Sequence, residues 1–139
     1  MRVVVDSSVW IDLAGGRPTM QATAGRRFIA RAERVVVGDL VLTEILQGTR
    51  DRRDFARKLA WLSTFDQLTV VDAYIAVHAA RNLQFLKARG IAVRKTIDTL
   101  IATRRIIDDV PLLYGDRDFD PFVEHLGLRS ALNTAFGTD

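Results

Sequence analysis

The sequence predicts a three-layer α/β/α domain in which helices cover both faces of a central, mainly parallel β-sheet. Short apolar runs, such as VVV at 3–5 and VVVG at 35–38, are typical of strands buried on both faces. These runs alternate with helical segments along the chain, which is the pattern of parallel α/β domains. Because 139 residues can bury a sizeable core, we expect residues 1–139 to form a single domain.

Each element follows from a local pattern. The predicted strands cover residues 3–5, 35–38, 68–71 and 110–114. The predicted helices cover residues 7–13, 19–34, 39–48, 51–65, 72–89 and 96–107, and residues 116–128 form a turn, a short helix and a final edge strand. We expect Ser7 or Ser8, Thr19 and Asp72 to cap the helices that follow them. In the helix over 51–65 the predicted inward residues are Phe55, Leu59, Leu62 and Phe65.

The composition, 48% hydrophobic and 27% charged, is that of a soluble globular protein. The absence of cysteine excludes disulfides and thiolate metal sites. The apolar run near the start is too short for a signal peptide, and no stretch approaches the roughly 18 apolar residues of a membrane span. We therefore expect the protein in the cytoplasm.

Basic residues are grouped along the chain, and they outnumber the acids by 20 to 17, for a net charge of +3 and a pI near 9.8. The main groups are RDRRDFARK at 50–58 and RK at 94–95. A basic rim around an acidic centre suits a polyanionic substrate such as a nucleic acid. As a group, the residues predicted to contact phosphates are Arg50, Arg52, Arg53, Arg57, Arg94 and Lys95.

Four acids stand where a carboxylate is unexpected. Asp6 and Asp116 lie at or just beyond the ends of predicted strands, and parallel strands end at the same edge of a sheet. Glu44 in LVLTEIL and Asp98 in KTIDTLIA are flanked by apolar residues within helices. A buried carboxylate is costly unless it is paired. No Lys or Arg lies one helical turn from Glu44, whereas an ion pair with Arg94 is an alternative explanation for Asp98.

Carboxylates that converge at one sheet edge repel each other unless cations lie among them. Mg²⁺ and Mn²⁺ suit this role because they prefer oxygen ligands. A pair of such ions roughly 4 Å apart can clamp a scissile phosphate and activate water. Taken singly, Asp6 is explained as a helix cap, Asp116 as a turn residue and Glu44 as an acid satisfied by a protein partner. The metal-site interpretation depends on their occurring together.

Together the motifs resemble those of the PIN-domain nucleases, and specifically the VapC toxins of type II toxin–antitoxin (VapBC) systems. The resemblance rests on four stretches, which occur in the family's order: VVVDSSVWIDL, LVLTEILQG, KTIDTLIA and LLYGDRDFDPF. Together these stretches span nearly the whole chain. The resemblance implies a PIN fold and a Mg²⁺-dependent endoribonuclease, with Mn²⁺ as a second possible cofactor.

The resemblance also assigns roles to individual residues. The implied catalytic and metal-binding quartet is Asp6, Glu44, Asp98 and Asp116. Ser8 matches a hydroxyl that orients the first carboxylate or a metal-bound water, and Asp118 matches a fifth, outer acid. The family's usual threonine before DRDF has no counterpart, because Tyr114 and Gly115 stand there. That departure removes a secondary hydrogen bond rather than a metal ligand.

The partners implied by the resemblance are an RNA substrate, a cognate antitoxin and a second copy of the chain in a homodimer. The antitoxin of such a pair packs along toxin helices and can insert a basic side chain into the acidic site. The apolar surface for this contact is expected on the helices over 39–48 and 51–65, including Trp61. The alternative for Trp61 is an ordinary place in the core.

Three other interpretations compete with the PIN-domain nuclease. A haloacid-dehalogenase-like phosphatase needs a second Asp two residues after the first, where this chain has Ser8. A Toprim nuclease would use Glu44, Asp116 and Asp118 but would leave the other two acids unexplained. A PIN-like scaffold that binds RNA or protein without catalysis is the alternative from another class, and an intact quartet argues against it.

Overall fold

The central sheet is parallel and has the strand order β3-β2-β1-β4. The computed structural model describes residues 2–31 and 33–135. Within these ranges the strands are β1 (Arg2–Val5), β2 (Arg34–Gly38), β3 (Asp66–Leu68) and β4 (Leu112–Leu113). The prediction of a mainly parallel sheet is therefore confirmed. Parallel pairing places the carboxyl ends of all four strands at one edge.

Helices connect the strands and flank the sheet, which confirms the three-layer arrangement. They are α1 (Ser7–Ala14), α2 (Met20–Ala30), α3 (Asp39–Gln47), α4 (Arg52–Leu62), α5 (Ala73–Ala88), α6 (Thr96–Asp108), α7 (Asp120–Leu126) and α8 (Leu132–Ala135). A 3₁₀ turn at Arg117–Phe119 precedes α7. Among the described residues, no helix has the length and apolar character that a membrane crossing requires.

Some strand boundaries differ from the prediction, and the hydrogen bonds explain why. The third strand is Asp66–Leu68 rather than 68–71, because the Val70 N–H donates to the Asp39 carboxylate at 3.0 Å instead of joining the ladder. The fourth strand shortens from 110–114 to two residues. The predicted final edge strand is only an isolated bridge between Ser130 and Leu112. Apolar runs thus identified the strands but overestimated their pairing.

Two of the helix caps were predicted correctly and one was not. Thr19 accepts from the Ala22 N–H at 3.0 Å, and Asp72 accepts from the Ile75 N–H at 2.9 Å. The cap of α1 is Asp6 itself rather than either serine that follows it. The helix begins directly after β1, so the strand-end carboxylate is already in the capping position.

The predicted inward face of α4 was wrong for two residues. Phe55 is 42% exposed and Leu59 is 38% exposed, whereas Leu62 is buried as predicted. A charged residue, Asp54, is buried instead. Its carboxylate oxygens form ion pairs with side-chain nitrogens of Arg50 and Arg57, both at 3.5 Å, and of Lys58 at 3.1 Å. The hydrogen bond from the Arg50 N–H, followed by the side chains of Lys58 and Arg50, stabilises the buried carboxylate and holds its pKa near 2. Periodicity of apolar residues cannot detect such a satisfied charge.

An aromatic cluster supports the carboxyl end of β1. The buried Trp10 ring packs edge-on against Trp61, at 5.2 Å between centroids, and against Phe65 at 4.9 Å. Its indole N–H donates to the Val5 carbonyl at 2.9 Å. Trp61 therefore belongs to the packing of the core, and the bond to Val5 fixes the backbone immediately before Asp6.

We expect Trp10→Phe to lower the free energy of unfolding by about 1–3 kcal/mol through the lost hydrogen bond alone, because the buried Val5 carbonyl loses its donor. Urea denaturation measures the change. Trp61→Phe is the matched control, since its indole N–H has no hydrogen bond to any residue that the structure describes. Equal losses in the two variants would contradict the role of the indole bond.

Candidate metal and active site

The four predicted acids meet at the carboxyl edge of the sheet. Asp6 follows β1 directly, and Asp116 follows β4 after a short loop and caps the 3₁₀ turn. Glu44 extends from α3, and Asp98 lies in the first turn of α6. The carboxylate of Asp98 is close enough to interact electrostatically with each of the other three. Four acids that are far apart in the sequence thus form a single cluster in the fold.

The two oxygens of Asp6 have different environments. Oδ2 accepts a hydrogen bond from the Ser8 hydroxyl at 2.9 Å and a longer one from the Ser8 N–H at 3.4 Å. Oδ1 is buried and has no hydrogen-bond partner. The expected contact between Ser8 and the first carboxylate is therefore present. Asp6 is a helix cap through one oxygen, and its other oxygen forms no hydrogen bond.

Glu44 and Asp98 also present partnerless oxygens. Oε1 of Glu44 and Oδ2 of Asp98 are buried without a hydrogen bond. The Ser7 hydroxyl opposes the rise in the pKa of the Glu44 carboxyl, an interaction that the sequence alone did not predict. The signal for it was the serine pair that follows Asp6.

A lysine pairs with the other side of the cluster. Lys95 Nζ lies 2.6 Å from Asp116 Oδ2, 3.4 Å from Asp118 Oδ2 and 3.9 Å from Asp98 Oδ2. Lys95 was predicted to contact RNA phosphates as part of a basic surface, and that contact stays a prediction; in the structure its ammonium forms ion pairs with these three acids. The alternative explanation of Asp98 through Arg94 is wrong in detail, because the cation beside Asp98 is Lys95.

Burial and mutual repulsion raise the pKa values of three acids. Burial is the main cause for Asp6, Glu44 and Asp98, and the neighbouring carboxylates add to it. The pKa of Asp98 rises to about 7. A carboxyl group whose pKa lies near 7 marks a place where nearby positive charge does not fully compensate the negative charge.

Asp116 differs from the other three acids. Partial burial raises its pKa, but the hydrogen bonds from Lys95 and from the Asp118 N–H outweigh burial, so the pKa is lower than usual. The same contact with Asp116 raises the pKa of Lys95 and keeps its ammonium charged. On one side of the cluster the Lys95 ammonium balances the charge of Asp116 and Asp118. On the other side the pKa values of Asp6, Glu44 and Asp98 stay raised.

The donor set fits a hard divalent cation. Carboxylate oxygens of Asp98, Asp116 and Asp118 lie within 4.8 Å of one another. Oδ1 of Asp6 and Oε1 of Glu44 are also buried without a hydrogen bond, but both residues fall outside this group of three. All of these ligands are oxygens, which Mg²⁺ and Mn²⁺ prefer. Tyr114, which replaces the family's threonine, donates its hydroxyl to Asp120 at 2.9 Å and takes no part in the cluster.

The other predicted RNA contacts are spread over the surface. Arg50 and Arg57 bind Asp54 on α4, although both guanidinium groups are largely exposed. Arg52, Arg53 and Arg94 are exposed. Arg52 and Arg53 lie on α4 and Arg94 lies shortly before α6, and their contact with RNA stays a prediction.

A family model described as PIN domain matches residues 3–122. The chain belongs to the PIN-domain family. Three solved structures share the PIN fold with it. VapBC2 from Rickettsia felis, bound to a DNA fragment from its promoter, aligns with a TM-score of 0.73 and 16% identity, over 94% of this chain and 97% of that chain.

The other two are also complexes. VapBC-1 from nontypeable Haemophilus influenzae aligns with a TM-score of 0.71 and 19% identity, covering 94% of this chain and 96% of that one. A toxin–antitoxin complex from Klebsiella pneumoniae aligns with a TM-score of 0.67 and 20% identity, covering 92% and 96%. At these identities the likeness establishes the fold, and the chemistry has to be argued from the acids themselves.

We expect the metal-free PIN domain to lose stability as pH rises from about 4 to about 7. The pKa of Asp98 is about 7 in the folded chain, against a reference value of 3.8. The folded state therefore retains a proton that the unfolded state releases in this window, and stability falls as that proton is lost. Thermal melts in EDTA across this range measure the decline.

Asp98→Asn should flatten this dependence because the amide does not titrate. Glu124→Gln is the matched control, since Glu124 is exposed and lies outside the cluster. A wild-type slope in Asp98→Asn would show that Asp98 is not the source.

Proposed function

We propose that this PIN domain is a Mg²⁺-dependent endoribonuclease toxin of the VapC type, which hydrolyses RNA phosphodiester bonds at Asp6, Glu44, Asp98 and Asp116. The observation that carries the proposal is that three of these acids, from three different parts of the chain, each have a buried oxygen without a hydrogen bond. We take residues 1–139 as one catalytic domain acting in the cytoplasm. Mn²⁺ can replace Mg²⁺ in the same oxygen site.

The physical argument is one of charge compensation. A buried carboxylate without a partner costs free energy, and a cluster of them costs more because like charges repel. A protein without a use for such a cluster would gain stability by replacing its members with apolar residues of similar size. A divalent cation removes this cost and offers its remaining coordination positions to phosphate oxygens. The cluster therefore supports a metal-dependent reaction on a phosphodiester.

Bound Mg²⁺ would polarise the scissile phosphate and lower the pKa of the attacking water. The chain's own residues prepare the site for it. The Ser8 hydroxyl donates to one oxygen of Asp6, and Oδ1 stays without a hydrogen bond. The Ser7 hydroxyl lowers the pKa of Glu44 against the effect of burial. Exposed basic side chains around the cluster, such as Arg94, would contact neighbouring phosphates.

A groove on the helical surface favours an antitoxin as the inhibitory partner. Ile11, Glu44, Ile45, Arg50 and Lys58 are among the residues that line one part of it, so the groove reaches the acidic cluster. The adjoining part is a cleft of about 510 Å³ that includes Leu13, Asp54 and Trp61. Apolar walls with basic groups suit a peptide that carries apolar and acidic side chains.

The solved complexes give this partner a precedent, because each of them is a toxin–antitoxin pair. By the same resemblance we propose that the chain forms a homodimer.

Phe55 and Leu59 on α4 were predicted to face inward but are exposed, and they add to the apolar surface beside the groove proposed for the antitoxin.

We expect the purified chain to cleave structured RNA with Mg²⁺, and EDTA to stop the cleavage. Asp98→Asn should reduce the rate at least about 100-fold, because the site loses a charge that balances the cation. Glu124→Gln, outside the cluster, is the control. Gel analysis of labelled RNA measures the products. RNA binding without cleavage under Mg²⁺ and Mn²⁺ would favour the non-catalytic scaffold instead.

Expression of the chain alone should arrest bacterial growth, and Asp6→Asn should relieve the arrest. Co-expression of a small antitoxin encoded immediately upstream should also relieve it. Phe55→Asp should weaken this rescue by placing a charge beside the groove, whereas Tyr74→Asp, a matched exposed aromatic on α5, should leave the rescue intact. Growth curves give the result, and equal rescue of both variants would exclude this surface.

A further inference from the structure

A small cleft next to the acidic cluster has no role in the proposed function. Its volume is about 240 Å³, and its lining includes Gln21 on α2, Tyr114 after β4, Asp120 at the start of α7, and Ser130. Pockets for drug-sized molecules measure roughly 300–1,000 Å³. The cleft therefore suits one small planar group rather than a whole ligand of that size.

Gly115 lies between this cleft and the acidic cluster. It lines the cleft and is the residue immediately before Asp116. A Cβ atom at this position would lie 3.7 Å from the Ser8 hydroxyl oxygen and 3.8 Å from the side chain of Gln21. The same Ser8 hydroxyl donates to Asp6. A group held in the cleft is therefore a neighbour of the acids that are proposed to act on a phosphodiester.

Several polar side chains of the cleft have hydrogen-bonding capacity to spare. Gln21 is half-buried and Arg117 is exposed, and neither side chain forms a hydrogen bond or an ion pair with any residue in the described ranges. The Asp120 carboxylate accepts the Tyr114 hydroxyl at 2.9 Å with Oδ1, and Oδ2 accepts from none of those residues. The cleft thus offers an amide, a guanidinium and a carboxylate oxygen to a bound group.

An aromatic ring forms one wall of the cleft. The ring of Tyr114 packs against the buried Phe119, at 5.3 Å between centroids, and its hydroxyl is bound to Asp120. These two contacts hold the ring in a fixed place. Unpaired bases of RNA stack on aromatic side chains of this kind.

Helix α2 fixes the position of Gln21 at the edge of the cleft. Gln21 lies in the first turn of this helix, and the Thr19 cap holds that turn by accepting from the Ala22 N–H at 3.0 Å. A glutamine amide both donates and accepts in one plane, as the edge of a nucleobase does. Gln21 is therefore well suited to distinguish one base edge from another.

We propose that this cleft holds an unpaired nucleobase of the RNA, beside the phosphate that is cleaved, and that Gln21 determines which base is preferred there. The inference deepens the proposed function and rests on it for RNA as the substrate. Bases splayed out from single-stranded RNA are recognised by hydrogen bonds to their edges and by stacking. The cleft supplies groups for both, since Asp120 accepts, Arg117 donates and Gln21 does both.

Base frequencies at the cut test the proposal on RNA. The full chain with Mg²⁺ cleaves a library of RNA hairpins with random loops, and sequencing of the product ends identifies the bases that flank each cut. We expect a strong preference at one flanking position, and Gln21→Ala should reduce it at least about 5-fold while cleavage continues. Gln84→Ala removes an exposed glutamine of α5 outside the cleft and should retain the wild-type preference.

Nucleoside binding tests the cleft without cleavage and without phosphate. Adenosine, guanosine, cytidine and uridine are each titrated into ¹⁵N-labelled protein in EDTA, and the signals of the Gly115 N–H and the Gln21 side-chain amide are followed by NMR. We expect one nucleoside to shift both signals with the highest affinity. Gln21→Ala should weaken its binding at least about 5-fold, read from the Gly115 signal, whereas Gln84→Ala should bind like the wild type.

The two experiments separate the cleft from the proposed nuclease. Selective nucleoside binding in a protein that cleaves no RNA would refute the nuclease and leave the cleft as a base-binding site. Cleavage whose flanking-base preference is absent, or is unchanged in Gln21→Ala, would overturn the inference and leave the nuclease intact. The inference is also overturned if none of the four nucleosides shifts the two signals. The NMR spectra verify that each variant is folded.

Discussion

The site depends on how two strand-end aspartates divide their oxygens between backbone and cluster. Asp6 caps α1 with Oδ2 and leaves Oδ1 free of partners. Asp116 accepts the Asp118 N–H with Oδ1 and directs Oδ2 to Lys95. The capping bond fixes the rotamer of each side chain, so the second oxygen has a defined direction. A helix cap and a site ligand are therefore compatible roles for one carboxylate.

The position of the Asp6 carboxylate depends on backbone hydrogen bonds of the fold. The parallel ladder sets the depth of Asp6, since its N–H donates to the Leu113 carbonyl of β4 at 2.9 Å. Trp10 fixes the preceding carbonyl from the other side. These bonds tie the backbone at Asp6 to the strand that leads to Asp116. Rigid elements on both sides allow a costly cluster of like charges to persist without collapsing.

Positive charge from the protein compensates some carboxylates of the cluster more than others. Lys95 stabilises the ionised form of Asp116, whereas burial and repulsion favour the protonated form of Asp98. A site in which every carboxylate had an internal partner would have no attraction for an external cation. One in which none had a partner would strongly destabilise the fold. The lysine reduces the total repulsion, while Asp6 Oδ1, Glu44 Oε1 and Asp98 Oδ2 stay buried without a hydrogen bond.

Much of this molecule could be predicted from local pattern. Continuous valine runs located β1 and β2, and the conjunction of four acids in family-like motifs indicated which carboxylates would meet. Boundaries that depend on side-chain bonds could not be predicted in this way. The end of β3 is set by the Asp39 carboxylate, and Asp54 is buried because cations from its own helix and the loop before it surround it.

The sequence by itself determined the fold class, the family and the identity of the clustered acids, because hydrophobic periodicity and motif order are properties of the chain. Only the tertiary structure decided which oxygen of each acid is free and which cation lies beside it. Lys95 appears in the sequence as one more member of a basic surface, and α6 brings it within 2.6 Å of Asp116, which is 21 residues away. Such pairing is a matter of distance in space, which local sequence does not specify.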